Sequence, residues 1–161
     1  MTPENRTWIE TTAIAAGRAN HIFPAMAASE AALESEWGQS ALFRDGLNAF
    51  GMKQHKHPIY GTLNLPTKEY LGGEWEVVEA SWVKYDTLEE CFEDRMATLK
   101  RLQNTYPHYA AALAATDAVT FVTEVSKTWS SDPNRASKVI AIYTEWVVTQ
   151  VPPAPDSTVP G

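Results

Sequence analysis

The chain has 161 residues, 44% of them hydrophobic, and a formal net charge of −7 at pH 7. A domain of about 150 residues buries roughly two-thirds of its unfolded surface, so one compact domain is expected. The acidic balance and the lack of a Lys/Arg cluster argue against nucleic acid as a partner. No apolar run reaches the ~20 residues of a membrane span, so no membrane association is expected either.

Helix signals dominate the first forty residues. The sequence TPE at residues 2–4 is a helix start, and apolar residues at helical spacing extend that helix to about Asn20. Pro24 opens a second helix, which Gly38 is predicted to end. Residues 43–57 then lose any regular period.

A β-hairpin is predicted next, from Thr62 to Tyr85, because β-prone residues flank the Gly72-Gly73 pair. Thr87 with Glu90 forms a capping box for a third helix that runs to Leu102. Further helices are predicted at residues 107–115, after Asp117, and from Asp132-Pro133. The predicted fold class is mostly α, a helical domain with an inserted hairpin lobe.

The predicted domain covers residues 1–150. Residues 151–161, VPPAPDSTVPG, have the proline-rich composition of a linker or disordered tail, which could lead to a further module.

Three acids, Glu30, Glu34 and Glu36, lie at the predicted end of the second helix. The negative end of the helix dipole and the like charge of Glu30 would both raise the pKa of Glu34, and burial against Trp37 would raise it further. A protonated glutamate of this kind can donate to a leaving oxygen. The alternative is that all three acids solvate an amphipathic helix.

A series of motifs supports the first interpretation. The segment ALESEWGQS (residues 32–40) resembles the ALES-x-WG signature of the glucosaminidase family of peptidoglycan hydrolases, glycoside hydrolase family 73. In order, NAFGMK at residues 48–53 resembles the N-L-F-G-I-K of that family, TKEY at 67–70 its T-x-E-Y, WVKY at 82–85 its F-R-x-Y, and SSDP at 130–133 its A-T-D-P. Five motifs in order are a specific signal.

The resemblance implies a lysozyme-like α+β fold in which the hairpin forms one wall of a substrate groove. It places the general acid at Glu34 and an assisting base at Glu69. Carboxyl groups roughly 6.5–9.5 Å apart would favour inversion by an activated water. Participation by the 2-acetamido group of the substrate is the alternative, and Glu74, Glu76 and Glu79 are competing hairpin acids.

The same resemblance assigns substrate contacts to six residues: Trp37, Asn48, Phe50, Tyr70, Trp129 and Asp132. Trp129 is otherwise a core residue, and Asp132 is otherwise a helix cap. The chain departs from the family pattern where Trp129 and Arg135 replace tyrosines, where Val83 replaces an arginine, and where Ala49 replaces a leucine.

Other candidate sites are weaker. His55 and His57 supply two possible zinc ligands without an indicated third, so no metal is expected, and the resemblance implies no cofactor. Cys91, the only cysteine, is surrounded by acids that disfavour a thiolate and is interpreted as a packing residue.

The function that the resemblance implies is an endo-β-N-acetylglucosaminidase that cuts the β-1,4 bond of the GlcNAc-MurNAc strand, acting on the bacterial cell wall as a monomer. The alternatives are a lytic transglycosylase or muramidase, a catalytically impaired wall-binding module, and a purely structural assembly domain. The chain shows no signal peptide, which favours a phage endolysin released from the host cytoplasm, although a trimmed secreted autolysin fits nearly as well.

Overall fold

The computed structural model describes residues 1–150, in which helices surround a long two-stranded hairpin; the predicted linker at 151–161 lies outside the described residues. The elements in chain order are α1 (Pro3–Arg18), α2 (Pro24–Glu34), α3 (Ala41–Gly46), β1 (Gly61–Leu71), β2 (Glu74–Lys84), α4 (Leu88–Leu102), α5 (Pro107–Leu113), α6 (Ala118–Trp129) and α7 (Arg135–Gln150). The predicted class, a helical domain with one inserted hairpin, is confirmed. Within residues 1–150 no helix combines the length and apolar character that crossing a bilayer requires.

Local capping signals set the helix starts. The Thr2 side chain accepts a hydrogen bond of 3.0 Å from the Asn5 N–H at the start of α1. Thr87 and Glu90 form the predicted capping box at α4. The Asp117 carboxylate caps α6 by accepting from the Thr120 N–H at 2.8 Å. Each cap satisfies N–H groups that have no partner inside the helix.

The second helix ends earlier than its sequence predicts. It stops at Glu34, and the backbone then passes through the left-handed region at Glu36, Trp37 and Gly38, with φ of 54°, 58° and 79°. Three consecutive left-handed residues cannot continue a right-handed helix. Glu34 is therefore the last helical residue, and Trp37 does not lie on the stripe of α2.

Two other boundaries differ from the sequence prediction. The segment predicted as irregular contains α3, whose Ser40 side chain caps the Phe43 N–H at 3.2 Å. The last helix begins at Arg135 and not at Asp132-Pro133, because the Asp132 side chain forms a local turn by accepting from the Asn134 N–H at 2.8 Å.

Helix α2 is the centre of the helical lobe. It contacts α1, α6 and α7, and its buried residues occur on every side of the helix. Most of them are small, which allows the neighbouring helices to approach closely: Ala27, Ala28, Ser29, Ala31 and Ala32. Glu30, also on α2, is a fully buried charged residue in this lobe.

The hairpin turns at Gly72 and Gly73, both with positive φ, and pairs Leu71 with Glu74. Two such residues in a two-residue turn match the right-handed twist of paired strands. Along β1 the half-buried residues alternate with exposed ones, so the strand has an inner face that includes Glu69 and an outer face that includes Tyr70.

The base of the hairpin is tied to the helical lobe. The Val83 N–H donates to the Met52 carbonyl at 3.0 Å, and the Tyr85 N–H donates to the Gly46 carbonyl at 2.9 Å. Both Val83 and Tyr85 are buried. These contacts fix the end of the hairpin next to the helices, while its turn extends away from them.

Candidate active site

Glu34, the predicted acid, is the last residue of α2 and keeps 27% of its side chain exposed. Its Oε1 accepts a hydrogen bond of 2.8 Å from Nε of Arg135, the first residue of α7. The carboxyl group is therefore held from the protein side and accessible from the solvent side.

Arg135 lies almost wholly inside the protein and contacts two further groups. Its Nη1 lies 2.9 Å from Oε2 of Glu30 and donates to Oγ of Ser126 at 2.8 Å. Its Nη2 is buried and has no hydrogen-bond partner. Because Nε and Nη2 share one edge of the guanidinium, Glu34 occupies only half of a site that can bind a carboxylate with two bonds.

Glu30 is held on its other side by Arg95 of α4. Nη1 and Nη2 of Arg95 donate to the two oxygens of Glu30 at 3.0 and 2.6 Å. The Arg95 guanidinium also lies 4.4 Å from the ring centroids of both Phe50 and Trp129. We call Glu30, Arg95 and Arg135, together with Glu34 at the surface, the buried charge network.

The charges within the network shift the pKa values of Glu30 and Arg135. Burial by itself would raise the pKa of Glu30, but the charges of Arg95 and Arg135 outweigh it and lower the pKa to about 2. Burial opposes the charge of Arg135, yet Glu30 and Glu34 raise its pKa above the usual range. Glu30 and Arg135 are therefore both charged at neutral pH.

His21 contacts the network from the α1–α2 loop. Burial, with the nearby charge of Arg95, lowers the pKa of His21 to about 4. Its Nε2 lies 3.4 Å from Nη1 of Arg95, and its Nδ1 lies 2.6 Å from the Ile22 carbonyl oxygen. The imidazole is thus neutral at neutral pH.

The predicted surroundings of Glu34 are wrong in one respect. Glu30 was expected to act as a like charge beside Glu34, but it is neutralised by two arginines, and it does not solvate the helix. The ring of Trp37, which was expected to lie against Glu34, packs edge-on against Trp8 at 6.1 Å. Glu34 also has a cationic partner, Arg135.

Glu69, the predicted assisting base, lies on the inner face of β1 with 41% of its side chain exposed. Lys53 Nζ is 3.9 Å from its Oε1, and Lys53 is itself largely exposed. An exposed pair at this distance is weakly held, so the Glu69 carboxylate remains free to exchange partners. The competing acids Glu74, Glu76 and Glu79 are all exposed.

The side chain of Asn48, which was predicted to contact substrate, is buried inside the protein. Its Nδ2 donates to the carbonyl oxygens of Met52 and Val83, each at 2.9 Å, and its Oδ1 accepts from the Met52 N–H at 2.9 Å. These bonds join the loop after α3 to the base of the hairpin. The structure therefore places Asn48 as a buried connection between the two lobes.

Phe50 and Trp129 both belong to the packing around Arg95. Phe50 is buried, and its ring meets Trp129 edge-on at 6.1 Å. Trp129 is half-buried and also contacts Tyr109. Of the two, only Trp129 has surface left for a ligand.

Tyr70 and Asp132 are the remaining predicted substrate contacts, and they lie on different parts of the structure. Tyr70 is on the outer face of the hairpin, opposite to Glu69, and packs against Trp75 at 5.4 Å. Asp132 is bound by Lys138 at 2.7 Å and is part of a polar depression of about 450 Å³ between α6 and α7 that also includes Ser126.

His55 and His57, the weaker candidates, line a depression of about 320 Å³ that also includes Asp94. His55 Nε2 is 3.9 Å from Asp94, and His57 is exposed. Within residues 1–150 no three His, Cys, Asp or Glu side chains are arranged to hold a metal ion. Cys91 is buried, and burial raises the pKa of its thiol to about 12, as expected for a packing residue.

Sequence reasoning missed the buried charge network. Glu30 was noticed only as a neighbour of Glu34, and Arg135 only as a departure from a motif. A usable signal was present in α4, where Arg95 lies on the same helical stripe as the apolar residues Phe92 and Leu99. A charged residue on a core stripe predicts a buried partner of opposite charge.

Comparison with known proteins gives a consistent result. The sequence profile described as glucosaminidase, mannosyl-glycoprotein endo-beta-N-acetylglucosaminidase, matches residues 10–146. Peptidoglycan hydrolase FlgJ of Salmonella typhimurium is 32% identical over 122 residues, which are 71% of this chain and 36% of FlgJ. A probable N-acetylmuramidase of Lactococcus lactis is 28% identical over 159 residues, which are 92% of this chain and 35% of that protein. The chain spans about a third of the length of these relatives.

Solved structures share the fold. The catalytic domain of the autolysin Auto from Listeria monocytogenes superposes with a TM-score of 0.76 at 24% identity, covering 93% of this chain and 88% of that domain. A truncated glycoside hydrolase domain of FlgJ from Salmonella typhimurium has a TM-score of 0.72 at 26% identity, covering 89% of this chain and 98% of that domain. The helical lobe and the inserted hairpin are therefore a known arrangement.

Proposed function

Since the chain belongs to the glucosaminidase family, glycoside hydrolase family 73, we propose that it is a glycoside hydrolase that cuts the glycan strand of peptidoglycan. The bond is the β-1,4 linkage that follows N-acetylglucosamine, so the product carries N-acetylglucosamine at its new reducing end. The observation that carries the proposal is the position of Glu34, whose carboxyl group is oriented by Arg135 while 27% of the side chain remains exposed.

Glycosidic cleavage needs a proton on the leaving oxygen and a nucleophile at the anomeric carbon. We assign the proton donor to Glu34. The C–O bond breaks as the proton transfers, and a water adds to the anomeric carbon while losing its own proton to Glu69. The chemistry requires no cofactor, because proton transfers and one water balance the reaction.

The position of Glu69 supports its role as the base. It lies on the inner face of the hairpin, and Lys53 contacts it only at 3.9 Å. A weakly paired, exposed carboxylate can accept a proton from water without first breaking a strong interaction. If the acetamido group of the substrate acts instead as the nucleophile, Glu69 has only a supporting role.

The proposed groove contacts follow from exposure. Trp129 is half-buried at the edge of the helical lobe, and its ring can stack on a sugar face. Asp132 has exposed carboxylate surface in the depression between α6 and α7. We retain Trp37, Trp129 and Asp132 as proposed substrate contacts, whereas the buried Asn48 and Phe50 act through packing. Tyr70 would reach a substrate only if the strand wraps to the outer face of the hairpin.

The proposed site of action is the bacterial cell wall, and the proposed substrate is a single glycan strand bound by a monomer. A wall-binding module joined through residues 151–161 would raise the local concentration of the domain at its polymer substrate.

The direct test is digestion of purified peptidoglycan by the wild type and by Glu34→Gln, with products read by mass spectrometry. We expect Glu34→Gln to lose at least a hundredfold in rate, since amides cannot donate a carboxylic proton. Glu36→Gln is the matched control, because Glu36 is an exposed acid two residues away and should keep full activity. Undiminished lysis by Glu34→Gln would refute the assignment.

The same digest identifies the bond and the role of Glu69. A new reducing end at N-acetylmuramic acid would make the enzyme a muramidase, the activity named for the Lactococcus lactis relative. Products lacking the added water would indicate a lytic transglycosylase. Glu69→Gln is expected to lose tenfold or more, with exposed Glu74→Gln as its control. A much smaller loss would favour acetamide participation.

A wall-binding module that has lost catalysis, or a purely structural assembly domain, makes a different prediction. In both cases the wild type would release no soluble fragments. Sedimentation with insoluble peptidoglycan separates the two, because only the binding module would be found in the pellet.

A further inference from the structure

The depression between α6 and α7, which we call the α6–α7 depression, lies one side chain away from the proposed acid. Arg135 donates through Nε to Glu34 and through Nη1 to Oγ of Ser126, each at 2.8 Å. Ser126 is one of the residues that line the depression, whose volume is about 450 Å³. One planar guanidinium therefore separates a group bound in the depression from the Glu34 carboxyl.

Ser126 supplies a fixed hydrogen-bond donor to this depression. The residue is buried, with 6% of its surface exposed. Within residues 1–150 its Oγ takes part in one hydrogen bond, the one that it accepts from Arg135. The hydroxyl hydrogen is left without a protein acceptor in that range, and the bond from the cation makes this O–H a stronger donor. Buried polar groups normally have a partner, which a ligand oxygen in the depression would supply.

The other walls of the depression offer an acceptor and an apolar surface. The Asp132 side chain keeps 37% of its surface exposed, and bonds from Lys138 and from the Asn134 N–H hold it in place. Pro133 and Ala136 add aliphatic surface to the same lining. A donor, an acceptor and an apolar wall therefore surround one space.

The charges around the depression disfavour an anion as its ligand. Asp132 is itself an anion, because the hydrogen bond from Lys138 lowers its pKa. Lys127, the lysine that lines the depression, is already paired with Glu124 at 3.3 Å. A neutral ligand is therefore favoured.

A secondary acetamide matches each of these walls. Its carbonyl oxygen can accept from Ser126, and its N–H can donate to the Asp132 carboxylate. Its methyl group can pack against Pro133 and Ala136. A site that hydrogen-bonds a polar ligand group rejects an analogue that lacks the group, because the buried partner is then left unpaired.

We propose that the α6–α7 depression is a subsite for the N-acetyl group of a sugar beside the scissile bond, and that Ser126 makes the enzyme select N-acetylated over de-N-acetylated strands. The proposal rests on the proposed function, in which Glu34 acts on a glycan strand. Trp129 is three residues from Ser126 on α6, so the two side chains share a side of that helix. The ring of the same sugar would stack on Trp129.

The experiment measures binding without cleavage. Glu34→Gln is the background, because glutamine keeps an acceptor for Nε of Arg135 and has no carboxylic proton. The ligand is a tetrasaccharide of the glycan strand without peptide stems, either fully N-acetylated or de-N-acetylated, and Kd is measured by calorimetry. Adding Ser126→Ala should weaken binding of the acetylated ligand about tenfold and of the de-N-acetylated ligand less than about twofold.

This difference between ligands is the readout that a merely structural role would not produce. Ser126→Ala also removes a partner of Arg135, and a loosened site would weaken both ligands equally. Ala136→Leu tests the opposite wall, because it fills the depression and removes no hydrogen bond. It should weaken binding of the acetylated ligand about tenfold or more. Ser137→Ala, an exposed serine of α7 outside the lining, is the matched control and should leave both Kd values unchanged.

The outcomes separate the two proposals. Equal weakening of both ligands by Ser126→Ala, or undiminished binding of the acetylated ligand by Ala136→Leu, would overturn the subsite and leave the proposed function intact. The peptide stem also contains secondary amides, so a loss in Ser126→Ala confined to stem-bearing fragments would overturn the assignment to the sugar. Cleavage of the tetrasaccharide by Glu34→Gln at the wild-type rate would instead refute the proposed function.

Discussion

Arg95 and Glu30 form a doubly hydrogen-bonded ion pair inside the helical lobe, and neither side chain has any exposed surface. Two ions removed from water cost several kcal/mol each, and this cost is offset only when both stay paired. The pair joins α2 to α4 and places Arg95 against the rings of Phe50 and Trp129. The packing of this lobe therefore depends on a matched charge pair as well as on apolar contacts.

Arg95→Met tests this dependence. It leaves Glu30 with Arg135 as its one remaining cation and removes the guanidinium that packs against the two rings. We expect the free energy of unfolding in urea to fall by about 3–5 kcal/mol. Arg101→Met, at an exposed position of the same helix, is the matched control and should change it by less than about 0.5 kcal/mol. Equal losses in the two variants would show that the buried pair stabilises the fold no more than an exposed arginine does.

His21 makes stability depend on pH. Its pKa is lowered to about 4 in the folded protein, against 6.5 for the free side chain. The unfolded state therefore binds more protons between these values, so stability is complete above about pH 6.5 and declines as the pH falls toward 4. From pH 7 to pH 5 this contribution amounts to about 2 kcal/mol, by linkage at 1.36 kcal/mol per pKa unit.

Urea unfolding of His21→Gln at both pH values measures the effect, because glutamine does not titrate. The difference between pH 7 and pH 5 should shrink by most of that amount relative to the wild type. His57→Gln, at an exposed position, should leave the difference unchanged. A His21→Gln variant as sensitive to pH as the wild type would contradict the assignment.

Asn48 connects the helical lobe to the hairpin through three hydrogen bonds of 2.9 Å. Asn48→Ala leaves the buried Val83 carbonyl and the Met52 N–H without partners, while the Met52 carbonyl keeps its bond from the Val83 N–H. The loss should lower the free energy of unfolding by about 2–4 kcal/mol. Asn64→Ala removes an exposed side-chain bond to Ser81 and should cost below about 1 kcal/mol. If Asn48 acted only on substrate, stability would stay constant and KM alone would rise.

Gly38 allows the turn after α2 to pass against α1. A Cβ at this position would lie 2.3 Å from Nε1 of Trp8, and φ is +79°. Gly38→Ala should therefore lower the thermal midpoint by several degrees, through both the clash and the left-handed backbone. Gly72 also has a positive φ, but a Cβ added there would meet no atom within 4 Å. Gly72→Ala therefore measures the effect of the left-handed backbone alone and should lower the thermal midpoint distinctly less. Equal losses would mean that the contact with Trp8 has no cost.

Local signals predicted much of the fold. The caps at Thr2, Thr87 and Asp117 and the glycine pair at the hairpin turn act through bonds within three or four residues, so they can be read directly from the sequence. The end of α2 could not be read in this way. Its left-handed turn at Glu36 and Trp37 is maintained by the packing of Trp37 on Trp8, which is distant in the chain.

For the candidate site, the sequence by itself determined which motifs are present, the helix that carries Glu34 and the strand that carries Glu69. Only the tertiary structure decided that Asn48 is a buried connector and that Glu34 has an arginine behind it. Arg135 is 101 residues from Glu34, and Arg95 is 65 residues from Glu30. The charge state of a carboxyl group depends on which ions lie within a few ångströms, and for these residues chain folding alone sets that distance.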